Sequence, residues 1–366
     1  MPYPDDPMAD AGIRDERLSE ASLLIGLQEY DRADELLRAV VADADRSGDN
    51  ELASIGYEAL GTIATRQGRE EQARAALELA LERGDWPDPA QRMQLYFELA
   101  RILSFAGDFE RAIGLLEGAL ERLDPDGEAD VRVVLTVALS YAYDDAGQTG
   151  RANEMLANLL RSGAQELDAT SRGRVHYAIA RLALSRGRLD QGVEHGEKAI
   201  DAFREAGEEY MLANSLLLTA NLLLDNSSTT AAGDMLREAR ALYGPKIGAV
   251  DLGFLLVEEA HYHLQMGDAG QAAELARDAV EALAHLSVPS ELADAYLVLA
   301  RAYEELGEMD RAERAYGAAV DCAKRTEGFT RELSRAYRWY GKFLRRQGRD
   351  EAALEMLELA AELEMR

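Results

Sequence analysis

Residues 101–120 read RILSFAGDFERAIGLLEGAL, and residues 301–320 read RAYEELGEMDRAERAYGAAV. In both stretches an apolar segment is followed by a glycine, then by acidic residues, an arginine and an alanine, and then by a second apolar segment. Similar phrases recur about every forty residues, beginning at Gln28, Gly68, Gly107, Gly147, Gly187, Ser227, Gly267, Gly307 and Gly348. A fixed period of this length indicates a stack of similar units. The sequence therefore predicts a repeat protein.

Each unit is predicted to be a pair of helices. Apolar residues recur at helical spacing before the eighth phrase, at Tyr296, Leu299 and Tyr303, and after it, at Ala312 and Tyr316. The segments between units are polar or carry Gly and Pro, which end a helix. The fold class is therefore all-α, and the turn phrase joins the two helices of a hairpin.

The hairpins resemble tetratricopeptide repeats. The residues that carry the resemblance in the eighth unit are Tyr296, Leu299, Ala300, Tyr303, Gly307, Ala312, Tyr316 and Ala319. The period of about forty exceeds the thirty-four residues usual for the family, and it is similar to the arrays of kinesin light chains and of bacterial peptide-sensing regulators. The resemblance implies a right-handed α-solenoid of about nine hairpins.

The domain prediction is a disordered tail over residues 1–13 and a single superhelix over residues 14–366. The predicted units start near residues 14, 54, 93, 133, 173, 213, 253, 293 and 334. The fifth unit places Gly192 and Gly196 where an alanine and a large residue are expected. These glycines predict either a thin contact at which the array flexes or only a looser unit.

Charge and composition exclude several classes of function. The net charge of −28 over 366 residues argues against direct nucleic-acid binding and against an anionic membrane surface. The single cysteine, Cys322, excludes an internal disulfide and a Cys-rich zinc site. The first residues lack the pattern of a secretion signal, and the apolar segment 216–224 is too short to span a bilayer. We expect a cytoplasmic, bacterial protein.

The sequence carries no pattern typical of catalysis. His261 and His263 are two residues apart, so on a helix their side chains point in different directions and do not share a metal ion. Neither a phosphate-binding glycine loop nor a nucleophile motif is present. We predict a protein that is not an enzyme and that has no cofactor and no metal.

The candidate site follows from the resemblance, which implies that the first helix of each hairpin lines a concave groove at hairpin positions two, five, nine and twelve. These positions are rich in basic, amide and aromatic residues, which suit the backbone and the carboxylates of an extended, acidic peptide. The predicted peptide-binding residues are Arg101, Tyr141, Arg174, Tyr177, Arg181, Asn214, Asn221, Phe254, His261, Arg301, Arg335, Arg338 and Lys342. The predicted function is a regulatory scaffold that binds a protein tail or a peptide.

Two alternatives remain open at this stage. The basic residues can instead pair with Glu98, Glu258 and Glu304 and contribute nothing to recognition. The array can also serve as a structural or assembly subunit that docks through its outer face or its C-terminal helices, with a homodimer through the last unit as one form.

Overall fold

The fold consists of helices alone in the part of the chain that can be described. A computed structural model describes residues 15–364, except 28, 68, 85–91, 124–128, 164–166, 227, 245–246, 287 and 326–329. Within these ranges there are eighteen α-helices and no β-strand. The predicted tail, residues 1–13, lies outside the described residues. None of the described helices is long and apolar enough to span a bilayer.

The helices alternate as first and second members of nine hairpins, which confirms the all-α repeat prediction. The helices are α1 Glu16–Gly26, α2 Tyr30–Ser47, α3 Asn50–Arg66, α4 Glu70–Arg83, α5 Met93–Phe105, α6 Phe109–Arg122, α7 Ala129–Asp145, α8 Thr149–Gly163, α9 Ala169–Ser185, α10 Leu189–Ala206, α11 Glu209–Asp225, α12 Thr229–Tyr243, α13 Ala249–Gln265, α14 Ala269–Leu283, α15 Pro289–Glu305, α16 Met309–Ala323, α17 Thr330–Arg346 and α18 Asp350–Glu364. From the fourth hairpin onward, each first helix begins four residues before the predicted unit start.

One backbone hydrogen bond recurs at every hairpin turn. In the eighth hairpin the N–H of Glu308 donates to the carbonyl of Tyr303 at 2.9 Å, and in the third the N–H of Asp108 donates to Leu103 at 2.9 Å. Gly307 adopts a φ of 75° at this turn, a conformation that glycine reaches without steric cost. The repeated phrase in the sequence therefore encodes a helix C-terminal cap followed directly by the next helix.

The chain divides into two compact units. The first contains residues 1–104 and 108–142, and the second contains residues 105–107 and 143–366. In the first unit Leu18, Leu37 and Ile63 are fully buried, and in the second Phe203, Tyr316 and Phe343 are. The single superhelix over residues 14–366 stays a prediction.

The fifth hairpin does not have the thin contact that its glycines predict. A Cβ atom on Gly196 would lie 2.3 Å from Oγ1 of Thr219, and one on Gly192 would lie 2.6 Å from Cδ2 of Leu222. Thr219 and Leu222 belong to α11, the first helix of the sixth hairpin. The space that α10 leaves is therefore filled by side chains of the next helix, and the packing there is close.

Candidate peptide-binding face

In the second unit, the first helices of consecutive hairpins lie next to one another. Helices α9, α11, α13, α15 and α17 each contact the next one in this series. Side chains also bond between neighbours: Nε2 of Gln265 donates to the carbonyl of Leu224 at 2.7 Å, and Arg346 bonds Glu304 at 2.5 Å. These five helices form one surface, which we call the first-helix face.

Eleven of the thirteen predicted site residues belong to the first-helix face of the second unit. Two belong to the first unit. There, the guanidinium of Arg101 lies 2.9 Å from the carboxylate of Glu98, one turn earlier on α5, and Tyr141 is half-buried on α7. For Arg101 the alternative interpretation, pairing with a neighbouring acid, describes the contact observed.

A group of three tyrosines occupies one end of the face. Tyr177 lies on α9, Tyr210 on α11 and Tyr243 on α12. The rings of Tyr210 and Tyr243 meet edge to face, with centroids 6.1 Å apart and planes at 71°. The hydroxyl of Tyr243 donates to Oδ1 of Asn214. We call these three tyrosines, together with Asn214 and Asp251, the tyrosine cluster.

Asp251, at the start of α13, is the carboxylate of the tyrosine cluster. The hydroxyl of Tyr210 donates to both of its oxygens, at 3.2 and 3.1 Å. Burial raises the pKa of Asp251, and the hydrogen bond from Tyr210 offsets this in part. Burial first, and then the charge of Asp251, raise the pKa of Tyr210 to about 12 and also raise the pKa of Tyr243. The carboxylate is therefore surrounded by protonated phenols.

Two carboxylates occupy the middle of the face. Nδ2 of Asn221 donates to Oε1 of Glu258 at 2.6 Å, and Nδ1 of His261 lies 3.4 Å from Oε2 of the same carboxylate. Glu258 is 8% exposed. Burial raises the pKa of Asp225, the next acid in this region, whereas His261 lowers it. The predicted residue Asn221 thus donates to an acid of the neighbouring helix, and His261 lies beside the same acid, one turn away on its own helix.

The other end of the face is basic and aromatic. Helix α17 has the sequence TRELSRAYRWYGKFLRR, with six basic residues and one acid. The guanidinium of Arg301 on α15 lies 4.6 Å from the ring centroid of Trp339, and Nζ of Lys342 lies 4.9 Å from it. Two cations beside one indole form a stacked group. We call Arg301, Trp339, Arg338 and Lys342 the tryptophan cluster.

Arg335 also lies at this end of the face. Its guanidinium pairs with Asp294 of α15, and 46% of its side chain is exposed. Desolvation nevertheless lowers the pKa of Arg335, against the charges of Glu258 and Asp225, which raise it. Arg335 is therefore paired with an acid of the neighbouring helix, and its side chain remains open to solvent.

The remaining predicted residues lie on the same helices. Arg174 is half-buried and Arg181 is exposed, both on α9, and Phe254 on α13 is 39% exposed. Arg338 is exposed on α17. The face is therefore mixed in charge, and the expectation of a basic, amide-rich wall is amended. Carboxylates of neighbouring helices contact Asn221 and Arg335, and a carboxylate of its own helix lies beside His261.

The hairpin positions chosen from the sequence missed four residues of this face. Tyr210 precedes Asn214 by four residues and Asp251 precedes Phe254 by three, so both lie one helical turn before position two. Extending the stripe by one turn would have found them. Trp339 lies at position six, next to the stripe, and Tyr243 comes from a second helix, so no position in the repeat indicates either of them.

Comparison with family models assigns the repeat. Models described as tetratricopeptide repeat match residues 18–89, 95–129 and 257–325. These matches fall in hairpins with the turn and the capping bond described above. The second helix of each of these hairpins also has an alanine at the same position, a column in which Ala73, Ala112 and Ala312 are fully buried. The chain is a tetratricopeptide-repeat protein. Proteins of this kind are binding scaffolds that use the continuous surface made by stacked repeats.

Solved structures show the same fold at low sequence identity. A Rap protein complexed with competence and sporulation factor is 16% identical, with a TM-score of 0.60 over 75% of this chain and 78% of that one. The apo form of RapI is 14% identical, with a TM-score of 0.56 over 74% of this chain and 98% of that one. A human IFIT1 dimer with PPP-AAAA is 16% identical, with a TM-score of 0.55 over 96% and 83%. No curated protein matches the sequence.

Proposed function

We propose that this tetratricopeptide-repeat protein is a non-catalytic, regulatory scaffold in the cytoplasm, and that it binds an extended peptide or protein tail along the first-helix face. The observation that supports the proposal is the series of contacts between α9, α11, α13, α15 and α17. First helices that lie side by side can present their polar and aromatic side chains to one extended ligand. The Rap structure holding competence and sporulation factor supports a peptide as the ligand.

The charge of α17 supports an acidic segment in the ligand. In a chain with a net charge of −28, this helix has six basic residues and one acid. The guanidinium group of arginine binds a carboxylate through two parallel hydrogen bonds. Each charge-assisted hydrogen bond contributes about 1.5 to 3 kcal/mol. A few such bonds, together with stacking on Trp339, are sufficient for micromolar affinity, about −8 kcal/mol. We therefore place the acidic part of the ligand, or its C-terminal carboxylate, at the tryptophan cluster.

The test is selection from a displayed library of random dodecapeptides, with the protein immobilised. We expect the wild type to enrich acidic peptides, and we expect Arg301→Glu combined with Lys342→Glu to abolish the enrichment. Arg237→Glu is the matched control, because this arginine lies on the second helix α12 with 78% of its side chain exposed. Circular dichroism checks that each variant keeps its helices. Absence of enrichment, or equal enrichment by the double variant, contradicts the proposal.

The IFIT1 structure with PPP-AAAA is the reason to test nucleic acid as a second class of ligand. A 5′-triphosphate oligonucleotide is titrated against the wild type in 150 mM salt. We expect no saturable binding, since the net charge of −28 repels a polyanion. Tight binding at the tryptophan cluster would replace the peptide with a nucleic acid as the ligand.

A homodimer through the last hairpin is the second candidate, and one observation favours it. Leu354 on α18 is 58% exposed, and Met356, Leu359 and Leu363 of this helix are only partly buried. An apolar helix side at the end of an array is a surface on which a second copy can pack. Light scattering during size-exclusion chromatography measures the mass: a dimer that Leu354→Glu converts to a monomer supports this candidate, and a monomeric wild type rejects it.

A further inference from the structure

The tyrosine cluster has features that the tryptophan cluster lacks. Its single carboxylate, Asp251, is half-buried, and among the described residues no Lys, Arg or His lies within ion-pair distance of it. Its hydrogen bonds come from one neutral hydroxyl, that of Tyr210. A half-buried carboxylate whose hydrogen bonds from the described residues are neutral can also pair with a cation that a ligand supplies, and charge-assisted bonds of this kind are the stronger ones.

Helix capping does not account for Asp251. The residue lies in the first turn of α13, where an acid can stabilise the helix through the backbone dipole. However, the N-cap of this helix is Gly248, and no side chain caps it by a hydrogen bond. Burial raises the pKa of Asp251, so its charged form is disfavoured overall. The helix terminus therefore does not satisfy this carboxylate.

Aromatic side chains lie near the carboxylate, and the hydroxyl of one of them, Tyr210, contacts it. The rings of Tyr210 and Tyr243 stand nearly perpendicular, at 71°, with centroids 6.1 Å apart. Tyr210 and Phe254 are each 39% exposed, so part of each ring is accessible from solvent. The face of an aromatic ring attracts ammonium and guanidinium groups, and a few rings around one point form the cages that bind such ligands.

From this geometry we propose that the tyrosine cluster is a binding subsite for the cationic group of a peptide: its N-terminal ammonium, or the side chain of a Lys or Arg. The cation pairs with Asp251, and its apolar part packs against Tyr210 and Phe254. This inference rests on the proposed function, because it treats the cluster as one end of the peptide-binding face. Such a ligand binds in a single orientation, with its cationic group at the tyrosine cluster and its acidic segment at the tryptophan cluster.

The first experiment uses small cations, so that it does not depend on an extended peptide. The tyrosines are labelled at their ring carbons, and the protein is titrated with lysine amide and, separately, with glutamine amide acetylated at its N-terminus. We expect lysine amide to cause saturable shifts of Tyr177, Tyr210 and Tyr243, and the uncharged amide to cause none. Asp251→Asn keeps an acceptor for the hydroxyl of Tyr210 and should weaken the binding at least tenfold. Asp321→Asn, an exposed acid on α16, is the matched control and should leave it unchanged.

The second experiment separates the two sources of the cation. Peptides enriched by the wild type are synthesised with a free or an acetylated N-terminus, and with each Lys or Arg replaced by Gln. We expect one of these changes to weaken binding about tenfold or more in the wild type and to have no effect in Asp251→Asn. The change that does so identifies the N-terminal ammonium or the side chain as the ligand group.

The outcomes distinguish failure of the subsite from failure of the proposed function. If peptides bind the face with no dependence on their cations or on Asp251, the cation subsite is overturned and the peptide-binding function stands. If lysine amide shifts the tyrosines and no peptide is enriched, the subsite stands for small cations and the peptide-binding function fails. If lysine amide shifts no tyrosine of the cluster, or shifts them equally in Asp251→Asn, the subsite is overturned.

Discussion

The fifth and eighth hairpins follow the same repeat and fill the same interface in opposite ways. At the position where most hairpins have leucine, the fifth has Gly196 and the eighth has Tyr316. Thr219 of the following helix packs onto Gly196, whereas the ring of Tyr316 lies between side chains of its neighbours and is fully buried. Both interfaces are filled, but the helix that supplies the side chain is different.

The partners of Tyr316 show what the larger side chain adds. Its ring stacks on that of Tyr340, with centroids 5.9 Å apart and planes at 12°, and it contacts Phe343 at 5.1 Å. Its hydroxyl donates to Oε2 of Glu304 at 3.0 Å. Helix α16 is thus joined to both α15 and α17. In the fifth hairpin the corresponding link between α10 and α11 is the packing of the Thr219 side chain onto Gly196, where a Cβ atom would collide with it.

The largest effect is expected from removing the side chain that fills the eighth interface. Tyr316→Ala leaves a cavity among Tyr340, Phe343 and Glu304, and should lower the free energy of unfolding by about 3 to 5 kcal/mol. Hydrogen exchange of the α16 and α17 amides measures the loss locally, which suits a repeat protein whose units open separately. Leu236→Ala, at the same position of the sixth hairpin, is the comparison and should cost less. An equal or smaller loss at Tyr316 would mean that the ring is not the main contact there.

This comparison shows how much of the fold the sequence predicts. The nine turns, the two helices of each hairpin and the alanine columns follow from a pattern within each unit, and they were predicted. The space beside Gly196 is filled by Thr219, a residue of the next unit. A sequence pattern examined one unit at a time therefore predicts a gap where the structure has a contact. Interfaces between repeats are determined by pairs of residues.

The candidate site has the same limit: positions within one helix can be predicted from the sequence pattern, whereas contacts between hairpins cannot. The helical stripe predicts which residues of α9, α11, α13, α15 and α17 form the face, because that prediction depends only on position within one helix. It did not indicate that Asn221 donates to Glu258, since that contact joins two different hairpins. The tyrosine cluster was missed for the same reason: its members come from four helices, and only their assembly gives Asp251 its surroundings.

The second prediction concerns the interface between α10 of the fifth hairpin and α11 of the sixth, where a larger side chain is introduced. Gly196→Leu restores the residue that the repeat pattern expects, and its Cβ would meet Oγ1 of Thr219 at 2.3 Å. Overpacking of this kind costs about 3 kcal/mol, and α11 has to move away from α10. Urea unfolding followed by circular dichroism measures the loss. Gly317→Leu is the matched control, because a Cβ there has no atom within 4 Å and the change should be neutral or stabilising. If Gly196→Leu is also neutral, the close approach at this interface is contradicted.

The third prediction uses a polar pair that the fifth hairpin has and the eighth lacks. Nδ1 of His176 lies 2.9 Å from Nδ1 of His195, where the eighth hairpin has Tyr296 and Ala315. Burial first, then His195, Lys198 and Arg172, lower the pKa of His176 to about 4, against Glu194, which raises it. Burial and Lys198 also lower the pKa of His195, again opposed by Glu194.

Because both imidazoles are neutral in the folded protein, the unfolded chain binds more protons between about pH 6.5 and pH 4. The free energy of unfolding should therefore fall as pH decreases through this window, by about 1 to 2 kcal/mol between pH 7.5 and pH 5, and should be independent of these groups above pH 7. The measurement is urea unfolding at several pH values, with His176→Gln combined with His195→Gln as the reference. The same pH dependence in the reference variant would show that other groups cause it.

The smallest effect is expected from removing only the hydroxyl of Tyr316. In Tyr316→Phe the ring packing is kept, and Glu304 still binds Arg346 at 2.5 and 2.8 Å, so no buried charge is left without a partner. The loss should be about 1 kcal/mol, the net value of one hydrogen bond. A double-mutant cycle with Glu304→Gln isolates this bond from the ring contacts. A coupling energy near zero would mean that the eighth interface, like the fifth, is held by shape alone, and that the two hairpins differ only in which helix supplies the volume.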